Sequence, residues 1–216
     1  MKSVWLNNKN NNKLILFFNG WAMNETIIAN LDCCDFDILM IYDYCDFDFN
    51  FDLINFENYK EKYLVCWSMG VYCANKFFDK LSSFTKKIAI NGTNKMIDNK
   101  FGIPKRVYDL TIKLFDYDNM LKFIDNIFDS DNISFDTNTL RDIRDLKSEL
   151  ISIKNFKTDS EIEFDKVYIS KNDKIVPFEN QISYWGCFLK DNTKIIEIES
   201  AHFVFDKFDS WRDIVC

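Results

Sequence analysis

A serine separates an apolar run from a helix-compatible segment in the stretch CWSMGVYCA, residues 66–74. The preceding Tyr63-Leu64-Val65 run predicts a buried strand, and the spacing of apolar residues over Met69–Leu81 predicts a helix. A tight strand-to-helix turn would lift the Ser68 hydroxyl off a sheet, beside the positive end of the helix dipole. Ser68 is therefore a candidate nucleophile, and a polar residue at a helix cap is the alternative.

The residues around Ser68 match the G-x-S-x-G pattern of a nucleophile-bearing turn at all but one position. Cys66 replaces the first glycine, and this departure weakens the motif. Gly70 keeps a small residue where close helix packing most requires one. Taken alone, the segment supports the nucleophile and the helix cap about equally.

The only histidine of the chain, His202, follows the last strand-like run, in the segment ESAHFVF. A serine hydroxyl is a poor nucleophile until a base takes its proton, and imidazole is the usual base. The chain order serine, aspartate, histidine is the order of a catalytic triad built on this type of turn. His202 is the predicted base, although a lone histidine is more often structural.

The third member of such a triad is a carboxylate between the serine and the histidine, close to a strand end. Asp173 in YISKNDKIVP satisfies both conditions, and it would orient the imidazole and stabilise its charged form. A surface-turn aspartate is the alternative interpretation. Asp206, four residues after His202, is the second candidate.

Attack by Ser68 on a carbonyl group would turn the carbonyl oxygen into an oxyanion, which needs two backbone N–H donors. Met69 supplies one at the predicted helix start, and Trp21 in FFNGWAMNE supplies the other from the loop after the first strand-like run. Gly20 would let the chain turn closely there. Trp21 and Trp67 are also predicted to form an apolar wall for an acyl chain, although large aromatic residues are more often core.

Short apolar runs and helix-compatible stretches alternate along the chain, which predicts a mostly parallel sheet flanked by helices. Residues 94–165 interrupt this alternation with helical periodicity and a turn at Ser130-Asp131-Asn132, and we interpret them as a helical cap inserted into one domain, residues 1–216. The predicted helices are Glu25–Leu31, Met69–Leu81 and Glu179–Leu189. The predicted strands are Lys13–Phe18, Asp37–Tyr42, Tyr63–Cys66, Lys87–Asn91, Lys166–Ser170 and Lys194–Ile198.

The composition excludes several classes of function. A formal net charge of −7 argues against nucleic-acid binding, which needs a cationic surface. No apolar segment approaches the length of a membrane span or forms a signal peptide, which predicts a cytoplasmic protein. A single histidine and the lack of a C-x-x-C pair argue against a metal site.

In combination, these motifs resemble the BioG family of pimeloyl-[acyl-carrier protein] methyl ester esterases, in the α/β-hydrolase superfamily. The segments that carry the resemblance are FFNGW, WSMGVY, NGT at Asn91–Thr93, NDKIVP and SAHF. It extends from about Leu14 to His202, and the helical insertion is matched only by position and length.

The resemblance implies hydrolysis of the methyl ester on a carrier-bound pimeloyl chain in biotin synthesis, with release of methanol. It implies that Ser68, His202 and Asp173 form the triad, that Trp21 and Met69 hold the oxyanion, and that no metal or organic cofactor is required.

The partner implied by the resemblance is an acidic acyl-carrier protein, which a local basic surface would bind. The candidates are Arg141, Arg144 and Lys147, which recur every three residues, with Lys105 and Arg106 nearer the start of the insertion. Because acidic residues are interleaved with them, a solvated mixed-charge helix is the alternative.

Two other functions stay open on the sequence. A related esterase or thioesterase would share the triad and differ in the insertion. A non-catalytic binding protein of hydrolase fold would keep Ser68 and His202 without using them. Preference for the carrier-bound methyl ester separates the first of these from a BioG esterase, and labelling of Ser68 by a fluorophosphonate tests the second.

Overall fold

Seven strands form one sheet in the computed structural model, which describes residues 1–128, 135–188 and 192–216. The order across the sheet is β1-β3-β2-β4-β5-β6-β7. β1 runs antiparallel to β3, and the other neighbouring strands are parallel, so the predicted mostly parallel sheet is confirmed. The strands are β1 (Lys2–Asn7), β2 (Lys13–Phe18), β3 (Phe36–Tyr42), β4 (Glu61–Trp67), β5 (Lys86–Ile90), β6 (Lys166–Ser170) and β7 (Lys194–Ile198).

β1 is a strand that the sequence patterns do not predict. It lies at the edge of the sheet, its first two side chains are exposed and the other four are partly buried. An edge strand of this kind needs no continuous apolar run, unlike the central strands, which are covered on both faces.

The predicted helix Met69–Leu81 is divided into α1 (Met69–Cys73), a 3₁₀ turn (Ala74–Phe77) and α2 (Phe78–Leu81). Asn75 lies within the turn, where its buried amide donates to the carbonyl of Tyr72 at 3.1 Å and to the Asn94 side chain at 3.0 Å. Such bonds compete with the helical hydrogen-bond pattern and interrupt it.

The predicted helix Glu25–Leu31 is a single 3₁₀ turn, Glu25–Ile28. The predicted helix Glu179–Leu189 corresponds to α6 (Phe178–Phe188), and Leu189 lies outside the described residues. A short terminal helix, α7 (Trp211–Val215), is not predicted by the sequence patterns.

Between β5 and β6, the described residues form α3 (Lys105–Lys113), α4 (Tyr117–Phe128) and α5 (Ile143–Asn155). Helices were expected in this insertion from its apolar periodicity. The predicted turn at Ser130-Asp131-Asn132 lies outside the described residues.

A buried ionic cluster holds α5 against the end of β3. The guanidinium of Arg141 contacts the carboxylates of Asp43, with Nη1 3.1 Å from Oδ2, and of Glu149. Glu149 is fully buried, and one of its oxygens accepts a hydrogen bond from the backbone N–H of Tyr44 at 2.9 Å. Burial raises the pKa of the Glu149 carboxyl, and the adjacent guanidinium opposes this effect.

The prediction that Arg141 meets a carrier protein is therefore wrong. α5 begins at Ile143, with Asp142 as its N-cap, so Arg141 precedes the helix and does not share a helical face with Arg144 and Lys147. The three-residue spacing does not predict this position, because the side chain of Arg141 is oriented by Asp43 and Glu149, which lie elsewhere in the sequence.

Arg141→Ala is expected to lower the free energy of unfolding by about 3–5 kcal/mol, because it leaves the Glu149 carboxylate buried without its cation. Arg144→Ala is the matched control, since the Arg144 side chain is 90% exposed and pairs with Asp142, two residues before it. Urea unfolding measures both variants. Equal, small losses would contradict the assignment of Arg141 to the fold.

Candidate active site

Ser68 joins β4 to α1 in a strained backbone conformation, with φ 55° and ψ −123°. Positive φ is uncommon for residues other than glycine, and such residues often mark functional sites. The Ser68 side chain makes no capping hydrogen bond to α1. Its Oγ instead lies 2.8 Å from Nε2 of His202, so the helix-cap interpretation does not describe this serine.

Close packing around the turn explains its small residues. A Cβ on Gly70 would lie 2.2 Å from the carbonyl oxygen of Phe18, and one on Gly92 would lie 2.5 Å from the carbonyl oxygen of Ser68. Cys66 occupies the first glycine position, inside β4, with no exposed surface, and burial raises the pKa of its thiol. The turn therefore accommodates a short side chain at that position.

The imidazole of His202, which contacts Ser68 on one side, contacts Asp173 on the other. Nδ1 of His202 lies 2.8 Å from Oδ2 of Asp173, and both side chains are buried. A carboxylate only accepts, so this contact assigns the proton to Nδ1 and leaves Nε2 free to accept the Ser68 proton. The structure thus brings the three side chains predicted for a triad into one hydrogen-bonded line.

The Asp173 carboxylate has further donors that fix its orientation. Oδ1 accepts from the backbone N–H groups of Ile175 and Val176 at 2.8 and 2.9 Å, and Oδ2 accepts from Nε2 of Gln181 at 2.9 Å. Asp206, the second candidate for the acid, is exposed and pairs with Lys207. Asp173 occupies the position of the acid, and Asp206 does not.

Two buried amides that support this line were not identified from the sequence. Gln181 lies in α6, and no sequence signal distinguishes it from other polar residues there. Asn91 lies directly after β5, and its Nδ2 donates to the backbone carbonyl of His202 at 2.7 Å. Asn91 belongs to the NGT segment, but nothing in that segment predicts its contact with His202.

A largely apolar cavity of about 350 Å³ lies between Met69 and the inserted helices. Trp21 lies in its wall, where the indole Nε1 donates to the carbonyl of Leu146 at 3.0 Å and the ring packs on Phe123 at 4.8 Å between centroids. The apolar lining is formed by Trp21, Met69, Ile103, Val107, Tyr108, Leu110, Leu114, Phe115, Phe123, Leu150 and Ile175.

Trp67 does not line this cavity. Its ring packs on the His202 ring at 5.4 Å, and its Nε1 donates to the His202 carbonyl at 3.1 Å. A Cβ on Gly20 would lie 2.9 Å from the Trp67 ring, so close packing explains this glycine. The prediction that Trp67 forms a wall for an acyl chain is therefore wrong.

The two predicted oxyanion donors lie in the expected loops. Met69 is the first residue of α1, and the N–H groups of a first helical turn have no partner within the helix. Trp21 follows β2, and within the described ranges no hydrogen bond is formed by its backbone N–H. Both N–H groups remain candidates for this role.

The other predicted carrier contacts differ in their surroundings. Lys105 and Arg106 are exposed in the first turn of α3. Arg144 is exposed and bound to Asp142, and Lys147 is partly buried. Among the described side chains of α3 and α5, the exposed apolar residues in the cavity wall lie on α3 and at its C-cap. They are Val107 and Leu110 on the helix and Leu114 at the cap, each exposed by 43–56%.

Within residues 1–128, 135–188 and 192–216, no helix has the length and apolar character needed to cross a membrane. The same residues contain no group of three or more His, Cys, Asp and Glu side chains that could hold a metal ion.

The mostly parallel sheet and the strained strand-to-helix turn at Ser68 define an α/β-hydrolase. Solved structures with this fold include a lipase-esterase related protein from Clostridium acetobutylicum, with a TM-score of 0.64, 17% identity and coverage of 92% of this chain and 90% of that one. An esterase from Exiguobacterium antarcticum matches with a TM-score of 0.66, 14% identity and coverage of 95% and 89%.

Within this class, the family described as Pimeloyl-ACP methyl esterase BioG matches residues 1–214, and the chain belongs to that family. The crystal structure of BioG from Haemophilus influenzae matches with a TM-score of 0.85 and 28% identity, and the match covers both chains fully. An uncharacterised protein from H. influenzae is 33% identical over 212 residues, 92% of each chain. Family membership makes this chain a carboxylic ester hydrolase.

A further relative is a Malonyl-[acyl-carrier protein] O-methyltransferase from Bacteroides fragilis. It is 30% identical over 196 residues, which are 88% of this chain and 39% of that protein.

Gly70→Ala is expected to lower the free energy of unfolding by about 1–3 kcal/mol and to slow fluorophosphonate labelling of Ser68, because the added methyl group collides with the end of β2. Gly186→Ala is the control, since nothing lies within 4 Å of the added Cβ in an exposed turn of α6. That variant should be more stable by about 0.5–1 kcal/mol. Denaturant unfolding and labelling rates test both, and a Gly70→Ala protein with normal labelling would contradict the packing argument.

Proposed function

We propose that this chain is a serine carboxylesterase that hydrolyses the methyl ester of pimeloyl-[acyl-carrier protein] to the free acid and methanol, in the cytoplasmic synthesis of biotin. The observation that carries the proposal is the hydrogen-bonded line from Ser68 through His202 to Asp173, with 2.8 Å at each step, in a chain of the BioG family.

In the acylation step, Ser68 Oγ attacks the ester carbonyl while Nε2 of His202 takes the hydroxyl proton. The carbonyl oxygen becomes an oxyanion, which the backbone N–H groups of Trp21 and Met69 stabilise. Asp173 holds the imidazole in place and stabilises its positive charge. The tetrahedral intermediate then expels the methoxy group, which leaves as methanol with the proton from His202, and an acyl-enzyme remains.

In the second step, water attacks the acyl-enzyme as His202 removes its proton. The new tetrahedral intermediate breaks the bond to Ser68 Oγ, and His202 returns the proton to this oxygen. The carboxylic acid is released, and the enzyme returns to its original state. These two steps use the three side chains, the two backbone N–H groups and one water molecule.

The surroundings of Ser68 suit a carrier-bound acyl chain. The cavity beside Met69 is lined mainly by apolar side chains, which favour the methylene groups of an acyl chain over water. The Bacteroides relative provides separate support, because its name describes methyl transfer to malonyl-acyl-carrier protein and part of it resembles this chain. A methyl ester made in that way has to be removed by an esterase.

The carrier protein is proposed to dock on α3. Arg106 and Lys113 are exposed and lie seven residues apart, two turns along one side of this helix. They lie beside the exposed apolar residues at the cavity wall, so an acidic carrier bound there would direct its prosthetic arm into the cavity. Lys105 adds a further cation at the start of the helix.

The esterase proposal predicts that wild-type protein converts pimeloyl-acyl-carrier-protein methyl ester to a product lighter by the mass of one CH₂ group. Ser68→Ala and His202→Ala should each lower the rate by at least about 1,000-fold, because the first lacks the nucleophile and the second lacks the base that takes its proton. Intact-protein mass spectrometry follows the reaction.

Two results would contradict parts of this proposal. If simple p-nitrophenyl esters were cleaved and the carrier-bound ester were left intact, another esterase or thioesterase function would replace the biotin-pathway substrate. If folded wild-type protein were neither active nor labelled by a fluorophosphonate, the non-catalytic alternative would be supported instead.

The docking proposal predicts that the double variant Arg106→Glu and Lys113→Glu raises KM for the carrier-bound ester by about tenfold and leaves hydrolysis of p-nitrophenyl acetate unchanged. Lys60→Glu is the control, because Lys60 is exposed just before β4, at the opposite end of that strand from Ser68. Arg144→Glu tests the alternative contact on α5. A larger effect from Arg144 than from the α3 pair would refute docking on α3.

A further inference from the structure

Asn91 is a fully buried residue with a strained backbone at the end of β5. Its φ is 46°, a left-handed value that costs energy for a residue with a side chain. Asparagine tolerates this region better than most residues, yet the neighbours still have to hold it there. The backbone N–H of Asn91 donates to the carbonyl of Tyr168 in β6 at 3.0 Å, which provides part of that support.

Every polar atom of the Asn91 side chain is used. Oδ1 accepts from the backbone N–H of Ser170 at 2.7 Å, and Nδ2 donates to Oγ of Ser170 at 2.7 Å. Nδ2 also donates to the carbonyl of His202 at 2.7 Å. One amide therefore joins the end of β6, three residues before Asp173, to the main chain that carries the imidazole.

The carbonyl of His202 is held from a second direction. It accepts from Nε1 of Trp67, the residue before the nucleophile, at 3.1 Å. The residue after Asn91 packs on the same turn, since a Cβ on Gly92 would lie 2.5 Å from the carbonyl oxygen of Ser68. Asn91 and its immediate neighbours therefore contact the main chain at Ser68, at the end of β6 before Asp173, and at His202.

We propose that Asn91 is a positioning residue that holds the main chain of His202 so that its imidazole meets Ser68 and Asp173 together. This inference rests on the proposed function, because it assigns a role in the reaction of that triad. Asn91 makes no contact with Ser68 Oγ or with the imidazole nitrogens in the described hydrogen bonds. Its effect on the reaction passes through the His202 backbone.

Asn91→Asp is the most informative variant. It keeps the size of the side chain and the acceptor for the Ser170 N–H, and it removes the donor to the His202 carbonyl. Asn91→Gly is the second variant, because glycine adopts positive φ without strain and lacks all three side-chain hydrogen bonds. If one variant fails to fold, the other still tests the proposal.

Asn75→Asp is the matched control. Asn75 is also a buried amide, with Nδ2 donating to Asn94 at 3.0 Å and Oδ1 accepting from the N–H of Ile162 at 2.7 Å, and it does not contact the triad. The same chemical change at Asn75 disturbs the fold without disturbing the His202 carbonyl.

Two measurements separate positioning from a general loss of stability. Because the chain has one histidine, every imidazole signal in an NMR spectrum belongs to His202, including the downfield proton on Nδ1. The rate of fluorophosphonate labelling, measured on folded protein, reports the reactivity of Ser68 without depending on the natural substrate.

For the Asn91 variants, we expect labelling and the kcat for p-nitrophenyl acetate to fall by about 10- to 100-fold, with KM nearly unchanged, since a displacement of about 1 Å can cost that much. The downfield Nδ1 signal should shift or disappear. Asn75→Asp should keep the wild-type signal and labelling rate.

Folded Asn91→Asp or Asn91→Gly protein with a wild-type labelling rate and an unchanged Nδ1 signal would overturn the proposal, as would equal losses in Asn75→Asp. A wild-type protein that is not labelled at all would instead refute the proposed function. In that case the Nδ1 signals of wild-type and Asn91→Asp protein would still show whether Asn91 positions His202.

Discussion

The backbone at Ser68 passes from strand to helix with φ 55°, a conformation that costs about 1–3 kcal/mol for a residue other than glycine. Three parallel strands hold it. The N–H of Ser68 donates to the carbonyl of Ile90 at the end of β5, and Gly70 packs against the carbonyl of Phe18 at the end of β2. The position of the Ser68 hydroxyl therefore depends on the registers that place Phe18 and Ile90 beside the end of β4.

The same parallel arrangement of strands brings Asp173 and His202 to Ser68. Parallel strands end at one edge of a sheet, and ligands and reactive groups of open α/β sheets usually lie there. Ser68 follows β4, Asp173 follows β6 and His202 follows β7, so residues separated by up to 134 positions meet within hydrogen-bond distance. The imidazole of His202 is buried at these strand ends, which strengthens its electrostatic contacts with Ser68 and Asp173.

Much of this arrangement could be predicted from the sequence, because strand runs and chain order are local signals. Ser68, Asp173 and His202 each stand just after a strand-like run, and the sheet brings the three ends together. Trp67 and Arg141 could not be placed in this way. The Trp67 ring packs closely on Gly20, and the Arg141 guanidinium pairs with the buried carboxylate of Glu149. Neither contact follows from the periodicity of apolar residues.

The insertion combines two kinds of surface with different physical roles. α5 is fixed to the sheet by buried ionic contacts, and the carbonyl of Leu150 accepts from the hydroxyl of Tyr108, so α5 also anchors α3. α3 nevertheless exposes apolar side chains at the cavity wall, although exposure of such side chains to water is unfavourable. A protein partner seated there would remove this cost. Under the proposed function, the inner wall would select the acyl chain, and the outer side of α3 would select the protein that carries it.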